Sequence, residues 1–352
     1  MTSSCSTPAP CYAVKPSAPG GETLQICVHD DPGDILRLAP EWRGLMAGNP
    51  HARPFYDPAW HATWWRCLGS GAVHLCAVRK ENGDLLAIAP LTLREDGVLR
   101  FIGGEDLSDY LDIVAIPGAY PDAWRALMAY LNGPEAPPWK EMRLHSVPAD
   151  SPTAEFFSSY EGARVEKEDV CPVITLPGSW DDYTGMLGQR EERELRRKIR
   201  KAHMEADLEY GSTLSAENLE ADLKDFFRLH ALSQPEKEEF WNERRQAFFR
   251  EIAREMLQLG WLDLSIMRVH GQAVAANFSF DFEDRIYLYN SGYDPSEREL
   301  SAGIVLLAQN IGQAIQAGRS TFDLLRGGEA YKYRFAAKDE IVFRIKLNRE
   351  SK

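Results

Sequence analysis

The chain has 352 residues, 44% of them hydrophobic, and a formal net charge of -13 at pH 7. This length predicts two domains of about 150 residues each, and the apolar content suffices for two cores. The acidic balance disfavours DNA or tRNA as a partner of the whole surface. It leaves peripheral membrane association and the oligomeric state open.

The N-terminal stretch is rich in Ser, Pro and Gly, which predicts a flexible leader over residues 1–22. The cysteines are scattered, without a CxxC pair and without Cys/His groups at zinc spacing. They are Cys5, Cys11, Cys27, Cys67, Cys76 and Cys171. We therefore expect reduced cysteines, no metal site and a cytoplasmic location.

The first half of the chain reads as a helix, a three-strand meander, a second helix and a strand. The segment "YDPAWHATWWRCLG" predicts a helix that ends at Gly69. Three strand-like runs follow, separated by the turn signals "ENGD" and Asp96-Gly97. The helical "YPDAWRALMAYLNG" and the strand "KEMRLHSV" complete the series.

The second half repeats this order. A helix stopping at Gly260 precedes the strands "LDLSIMRV", "AVAANFSFDF" and "RIYLYNSGY", then the helix "SAGIVLLAQNIGQAIQAG" and the strand "TFDLLRG". Helices over 181–206 and 217–234 come before it, and the second places His230 on a core stripe. We interpret the repeat as a duplicated α+β unit, with domains at 23–165 and 166–352. Unrelated α+β domains that share the same elements are the alternative.

Four stretches resemble the GNAT acyltransferases, and more specifically the CelD/BcsL type associated with cellulose and exopolysaccharide biosynthesis. They are "LSDYLDI" (107–113), "LRRKIRKAHMEADLEYG" (195–211), "LYNSGYDPSERELSAG" (288–303) and "FDLLRGGEAYKYRF" (322–335). The basic stretch is also similar to a segment of the Fem aminoacyltransferases, which carry two GNAT-like units. The resemblance implies two tandem GNAT-like domains of α+β fold, each a mixed sheet flanked by helices.

The implied reaction moves an acyl group directly from acetyl-CoA or another acyl-CoA to an amine or hydroxyl. The implied acceptor is a small molecule, a sugar or an envelope or exopolysaccharide precursor. Two alternatives stay open: a Fem-like transferase that uses aminoacyl-tRNA, and a binding module that kept the fold without the chemistry.

A donor site is predicted where the strand at 286–291 ends and the next helix begins. Ser301 is a candidate N-cap, and unpaired N–H groups from Ala302 to Val305 would suit the pyrophosphate of coenzyme A. The alternative is an ordinary helix cap, and the full Gln/Arg-x-x-Gly-x-Gly/Ala loop of GNAT enzymes is missing. The residues expected to hold the donor are Tyr289, Asn290, Ser301, Ala302, Gly303 and Arg326.

A catalytic group is predicted in "FDLLRGGEAYKYRF". Acyl transfer needs a base, a proton donor for the leaving sulfur and groups that stabilise negative charge. The candidates are Glu329 or Asp323 as base, Tyr331 or Tyr333 as acid, and Lys332 or Arg326 as anion ligand. A solvated surface helix with an Arg/Glu pair is the alternative.

The acceptor is expected to contact the first domain. Its "GGEDLSDYLDI" segment is acidic and a poor phosphate cradle, so we predict that this domain has lost donor binding and that Asp109 and Tyr110 line the acceptor cleft. Tyr293 and Arg197 are further substrate-binding candidates. Arg197 lies on an arginine-rich helix face that would meet phosphates, a lipid headgroup or tRNA, or else pair with neighbouring glutamates.

Overall fold

The computed structural model describes residues 9–14, 23–233 and 239–349. The chain forms two compact units, residues 1–169 with 341–352, and residues 170–340. The predicted boundary at 165/166 lies close to this division. The end of the chain differs from the prediction, because its last strand pairs with the first unit, where Ile345 lies opposite Leu144.

The first unit is a mixed sheet with helices packed on it. Its strands are β1 (Cys11–Val14), β2 (Leu24–His29), β3 (Ala72–Lys80), β4 (Leu85–Leu93), β5 (Val98–Phe101), β6 (Val114–Ala115) and β7 (Glu141–Pro148). Its helices are Asp34–Arg37, Ala39–Met46, Pro58–Leu68, Tyr120–Leu131 and Pro152–Ser158, with a 3-10 turn at Pro54–Tyr56. β1 to β5 are adjacent in sequence order, β7 runs parallel to β5, and β6 pairs with β4.

Two long strands connect the units along the chain. β8 (Arg164–Thr175) leads from the first unit into the second, and β14 (Lys338–Asn348) leads back to the first. The remaining strands of the second unit are β9 (Leu208–Ser212), β10 (Leu262–Val269), β11 (Gln272–Phe282), β12 (Arg285–Tyr293) and β13 (Thr321–Asp323). Its helices are Trp180–Met186, Gln189–Glu205, Ala216–Ser233, Glu243–Gln258, Ala302–Gln316 and Ala330–Tyr333, with a 3-10 helix at Pro295–Leu300.

The second unit repeats the plan of the first, as predicted. Its strand order is β8-β13-β12-β11-β10-β9, with β12 and β13 parallel and the other pairs antiparallel. Helix Ala302–Gln316 buries the predicted apolar face, with Leu307 and Ile311 packed among Ile286 and Phe322. The α+β class and the helix, meander, helix, strand order of both units are confirmed.

The N-terminal prediction needs a correction. Cys11–Val14, inside the predicted flexible leader, forms a strand that pairs antiparallel with β2. The pairing places Cys11 opposite Cys27, and the two are joined by a disulfide, so they are not the reduced thiols that we expected. Residues 1–8 and 15–22 of the predicted leader lie outside the described residues. Among the helices of the described ranges, none is long and apolar enough to cross a membrane.

Candidate functional site

The parallel strands β12 and β13 separate partway along their length. Their pairing runs from Arg285 opposite Thr321 to Tyr287 opposite Asp323 and stops there, although β12 continues to Tyr293. The chain after Asp323 follows β8 instead: Leu324 N–H donates to Pro172 and Gly327 N–H to Val170. The gap between residues 288–293 and 324–329, which we call the donor gap, therefore lies within the second unit.

A β-bulge lies in β12 at the start of the donor gap. Phe278 pairs with Asn290 but Ser279 pairs with Leu288, so Tyr289 is an extra residue in the ladder. A bulged residue leaves the regular hydrogen-bond pattern, which frees backbone groups for other partners. Such groups beside a gap can bind the oxygen of a carbonyl.

The helix after β12 begins close to the end of the gap. Ser301 is its N-cap residue, but Ser301 has a left-handed backbone (φ 51°) and its side chain makes no capping bond. Its carbonyl accepts from the N–H groups of Ile304 and Val305, so of the four predicted unpaired donors only Ala302 and Gly303 lack a backbone partner within the described residues. The ring of Tyr293 covers Gly303, 3.4 Å from where a Cβ would lie.

Tyr331 connects the far side of the gap to β12. Its hydroxyl is hydrogen-bonded to the Ser291 side chain, and burial raises the pKa of Tyr331, with the charge of Glu329 adding to the effect. The phenol therefore keeps its proton at neutral pH, as a proton donor must. Tyr333, the other tyrosine candidate, is exposed and donates to Asp339 at 2.8 Å.

Lys332 has a structural position that the sequence did not predict. It is 3% exposed, and its Nζ donates to the carbonyl oxygens of Leu325, Arg326 and Gly327, each at 2.9 Å. The Glu329 carboxylate lies 2.9 Å from the same ammonium and stays more than half exposed. Lys332 thus fixes the turn that forms one side of the gap, whereas Glu329 keeps access to solvent.

Asp323 is also held by structural contacts. It is fully buried, its Oδ1 accepts from the N–H of Leu325, and its Oδ2 lies 3.2 Å from the Arg285 guanidinium. β13 ends at Asp323, and Leu325 is left-handed (φ 55°), so the strand alternation predicted through Gly327 does not extend that far. Arg326 is half-buried on this turn.

Tyr289 and Asn290 turn toward an aromatic cluster. The Tyr289 ring stacks on Phe249 with centroids 5.4 Å apart, and Asn290 Oδ1 lies 3.0 Å from His230 Nε2. His230 is 3% exposed, in agreement with its predicted place on the core stripe. Gly292 is needed here, because a Cβ would lie 2.3 Å from the His230 backbone nitrogen. Tyr289 and Asn290, which we predicted to hold the acyl donor, therefore present their backbone rather than their side chains to the donor gap.

The first unit also has a pair of parallel strands, β5 and β7. In this unit another segment of the chain fills the space beside the two strands. β5 and β7 pair only at Val98–Glu141 and Leu99–Met142, after which the N–H of Leu111 donates to the carbonyl of Ser146. The predicted acceptor residue Tyr110 is 1% exposed, with its ring near Phe55 and the Arg53 guanidinium. That burial is typical of a core residue and does not favour acceptor contact. Asp109 is half-buried.

The arginine-rich face lies on helix Gln189–Glu205, as predicted. Arg197 is exposed and forms a bidentate pair with Glu194, and Arg196 pairs with Glu192 and bonds to Thr184. The structure therefore favours the second of the two predicted readings, a solvated face with internal ion pairs.

The sequence did not predict the contact of Ser291, the bulge at Tyr289 or the separation of β12 from β13. A signal for the close packing was present in Gly292, which follows Ser291 in "NSGY". Among the described residues, no group of three or more His, Cys, Asp or Glu could hold a metal ion.

A stretch of the second unit matches the model of a known domain family. Residues 189–333 match the family model described as an acetyltransferase (GNAT) domain, a range that includes the bulge, the helix start and Tyr331. No curated protein matches the sequence.

Solved structures show the same fold at low identity. FemX is 10% identical, with 87% of this chain and 95% of that chain covered and a TM-score of 0.61. L-PGS from Bacillus licheniformis is 9% identical, with 95% of each chain covered and a TM-score of 0.56. A tandem GNAT protein from the clavulanic acid biosynthesis pathway is 12% identical, with 94% and 99% covered and a TM-score of 0.51. The fold is thus that of tandem GNAT-like units.

Proposed function

We propose that the protein is an acyltransferase that binds an acyl-CoA in the donor gap of its second unit and transfers the acyl group directly to an amine or hydroxyl. The single observation that carries this is the separation of β12 from β13, with Tyr331 and Ser291 hydrogen-bonded across the opening. A slender acyl-bearing arm can lie between strands that have ceased to pair, where the backbone groups of β12 beyond Tyr287 no longer face β13.

The roles follow from the contacts around the gap. The N–H groups of Ala302 and Gly303, at the positive end of a 15-residue helix, would bind the phosphates of coenzyme A. Backbone groups at the Tyr289 bulge would stabilise the developing oxyanion. Tyr331 would protonate the departing thiolate, because burial keeps its phenol neutral.

Glu329 is the proposed base, because it is the exposed carboxylate of the group. Asp323 is buried against Arg285, and the Lys332 ammonium is bonded to three carbonyl oxygens, so both support the turn rather than the chemistry. The filled space beside β7 supports placing the donor in the second unit alone. The acceptor remains the one that the sequence resemblance implies, a small molecule, sugar or exopolysaccharide precursor, in the cytoplasm.

A second candidate is an aminoacyl-tRNA-dependent transferase, which the fold likeness to FemX favours. The net charge of -13 and the ion pairs of Arg196 and Arg197 weigh against it. A gel shift at low salt separates the two, because tight binding of charged tRNA without binding of acyl-CoA would require this second function. A binding module without catalysis would be indicated if the Glu329→Gln and Tyr331→Phe variants both behaved like the wild type in a cellular assay.

Calorimetry with a panel of acyl-CoAs tests the donor site directly. Gly303→Asp adds a carboxylate at the helix N-terminus, which stabilises the helix but repels phosphate. We expect it to weaken acetyl-CoA binding by roughly tenfold or more, and the neutral Gly303→Asn of matched size to bind within about threefold of the wild type. Equal binding of acetyl-CoA by both variants would show that the acyl donor does not bind at the N-terminus of this helix.

A further inference from the structure

A second concave surface lies in the second unit, apart from the donor gap. A cleft of about 250 Å³ is lined by residues of helix Gln189–Glu205 and helix Ala302–Gln316. The residues that line it do not include Ser291, Tyr331 or any of residues 324–329. The proposed acyl transfer gives this cleft no role.

One side of the cleft carries aromatic rings. Trp180 lies over Gly312, and a Cβ on Gly312 would be 3.6 Å from the six-membered part of the indole. Tyr210 of β9 also lines the cleft, with its ring centroid 6.1 Å from that of His203. Flat aromatic faces bind the C–H faces of ring-shaped ligands.

The helix on the other side presents a row of amides. Gln309, Gln313 and Gln316 line the cleft at spacing i, i+4 and i+7, over about 10 Å of helix. Gln313 Oε1 accepts from Asn310 at 3.3 Å, whereas the side chains of Gln309 and Gln316 have no hydrogen-bond partner within the described ranges. An amide both donates and accepts, so a row of amides matches groups that do the same, such as hydroxyls.

The polar groups of the cleft are uncharged apart from the titratable ring of His203. No Lys, Arg, Asp or Glu is among the described residues that line it. A charged ligand would lose hydration here without gaining a counter-charge. The Tyr210 hydroxyl is buried and has no hydrogen-bond partner in the part of the chain that the structure describes. Tyr210 therefore faces the cleft with its ring and not with its hydroxyl.

We propose that this cleft binds an uncharged pyranose ring, whose C–H face packs on Trp180 and the Tyr210 ring and whose hydroxyls bond to Gln309 and Gln313. The spread of the amides along the helix fits hydroxyls around a whole ring, whereas a nucleobase presents its polar atoms along its edges in one plane. The inference is independent of acyl transfer, because binding here can be measured without any acyl donor.

The test is titration of the full chain with methyl β-D-glucopyranoside, followed by saturation-transfer NMR, with glucose 6-phosphate and adenosine as comparison ligands. Gln309→Ala and Gln313→Ala each remove one proposed hydrogen bond, and we expect each to raise the Kd for the glucoside by about fivefold. Gln258→Ala is the control, because Gln258 is exposed on helix Glu243–Gln258. We expect it to leave the Kd unchanged.

Tyr210→Phe is a second control, because it keeps the ring that packs on the ligand and removes a hydroxyl that the ligand does not reach. Since the hydroxyl has no partner within the described residues, its removal should leave the urea midpoint unchanged or raise it. Absence of saturable glucoside binding, equal Kd values in all variants, or tighter binding of adenosine than of the glucoside would each overturn the proposal. Failure here would leave acetyl-CoA binding at Gly303 untouched, so the two proposals fail separately.

Discussion

Leu325 and Ser146 have the same left-handed backbone, with φ of 55° and 56°, and a carboxylate binds the N–H of each. Asp323 Oδ1 accepts from Leu325 at 2.8 Å in the second unit, and Glu168 Oε2 accepts from Ser146 at 2.8 Å in the first. Each residue follows a parallel strand pairing in its own unit. The duplicated plan therefore extends to a residue with a strained backbone, which costs about 1–2 kcal/mol for a residue with a Cβ.

Glycine at these two positions should have opposite effects. Ser146→Gly relieves the strain and removes a buried hydroxyl that has no partner among the described residues, so we expect a gain of about 1 kcal/mol in the free energy of unfolding. Leu325→Gly relieves the same strain but removes a side chain that is 1% exposed, so we expect a loss of about 2 kcal/mol. Urea unfolding of both variants measures this, and a loss in Ser146→Gly would contradict it.

Tyr331→Phe should slow acyl transfer by about 10²-fold or more, because it removes the proposed proton donor and leaves the ring in place. Free thiol released from acetyl-CoA measures the rate. Tyr333→Phe is the matched control, since Tyr333 is exposed and bonds to Asp339, and it should retain the wild-type rate. Because the pKa of Tyr331 is raised, the phenol should keep its proton up to about pH 10, and the rate should not fall below that pH through loss of this proton. A wild-type rate in Tyr331→Phe would assign the acid to another group.

Lys332→Met should reduce stability rather than only activity. The ammonium is buried and bonded to three carbonyl oxygens, and methionine leaves all three without that donor. We expect the free energy of unfolding to fall by about 3 kcal/mol. Lys338→Met, at an exposed lysine, should change it by less than about 0.5 kcal/mol. Wild-type stability with lost activity would instead give Lys332 the catalytic role predicted from the sequence.

Asp112 should give the first unit a distinctive pH dependence. Burial raises the pKa of this carboxyl to about 7. The hydrogen bonds from Ser151 and Thr153 act in the opposite direction and lower the pKa, but burial has the larger effect. Between the unfolded pKa of 3.8 and about 7, the folded state keeps a proton that the unfolded state has lost. Each rise in pH across that window therefore favours unfolding, by up to about 1.4 kcal/mol per pH unit.

Asp112→Asn removes this titration. We expect the unfolding free energy of the variant, relative to the wild type, to rise from about pH 4 to about pH 7 and to stay level above it. Urea unfolding across this range, with the exposed Asp122→Asn as control, gives the comparison. Parallel pH profiles for Asp112→Asn and the wild type would show that the buried carboxyl does not titrate in this window.

The sequence predicted those helices and strands whose hydrophobic periodicity and turn residues lie within one short stretch of the chain. The strands at 262–269 and 285–293 have the predicted bounds, because a short polar turn or a change in hydrophobic period marks each end. The contacts of Lys332 were not predictable in the same way. Its three carbonyl partners become visible only once the Gly327 turn brings the backbone around the side chain.

The same limit applies to pairings between distant segments. Ser291 and Tyr331 are forty residues apart, and nothing in the local pattern of either indicates the other. The Cys11–Cys27 disulfide and the pairing of Ile345 with Leu144 likewise depend on which strands become neighbours. Composition near the N-terminus predicted a loose leader, whereas strand pairing decided the structure of Cys11–Val14.

The path of β14 has a consequence for synthesis. The first unit contains residues 341–352, so its sheet lacks a strand until the whole second unit has been made. A ribosome-bound chain of the first 169 residues would thus expose the edge of β7, from Glu141 to Pro148, while the second unit emerges. An exposed edge is a site for mispairing, so this protein completes its N-terminal unit last.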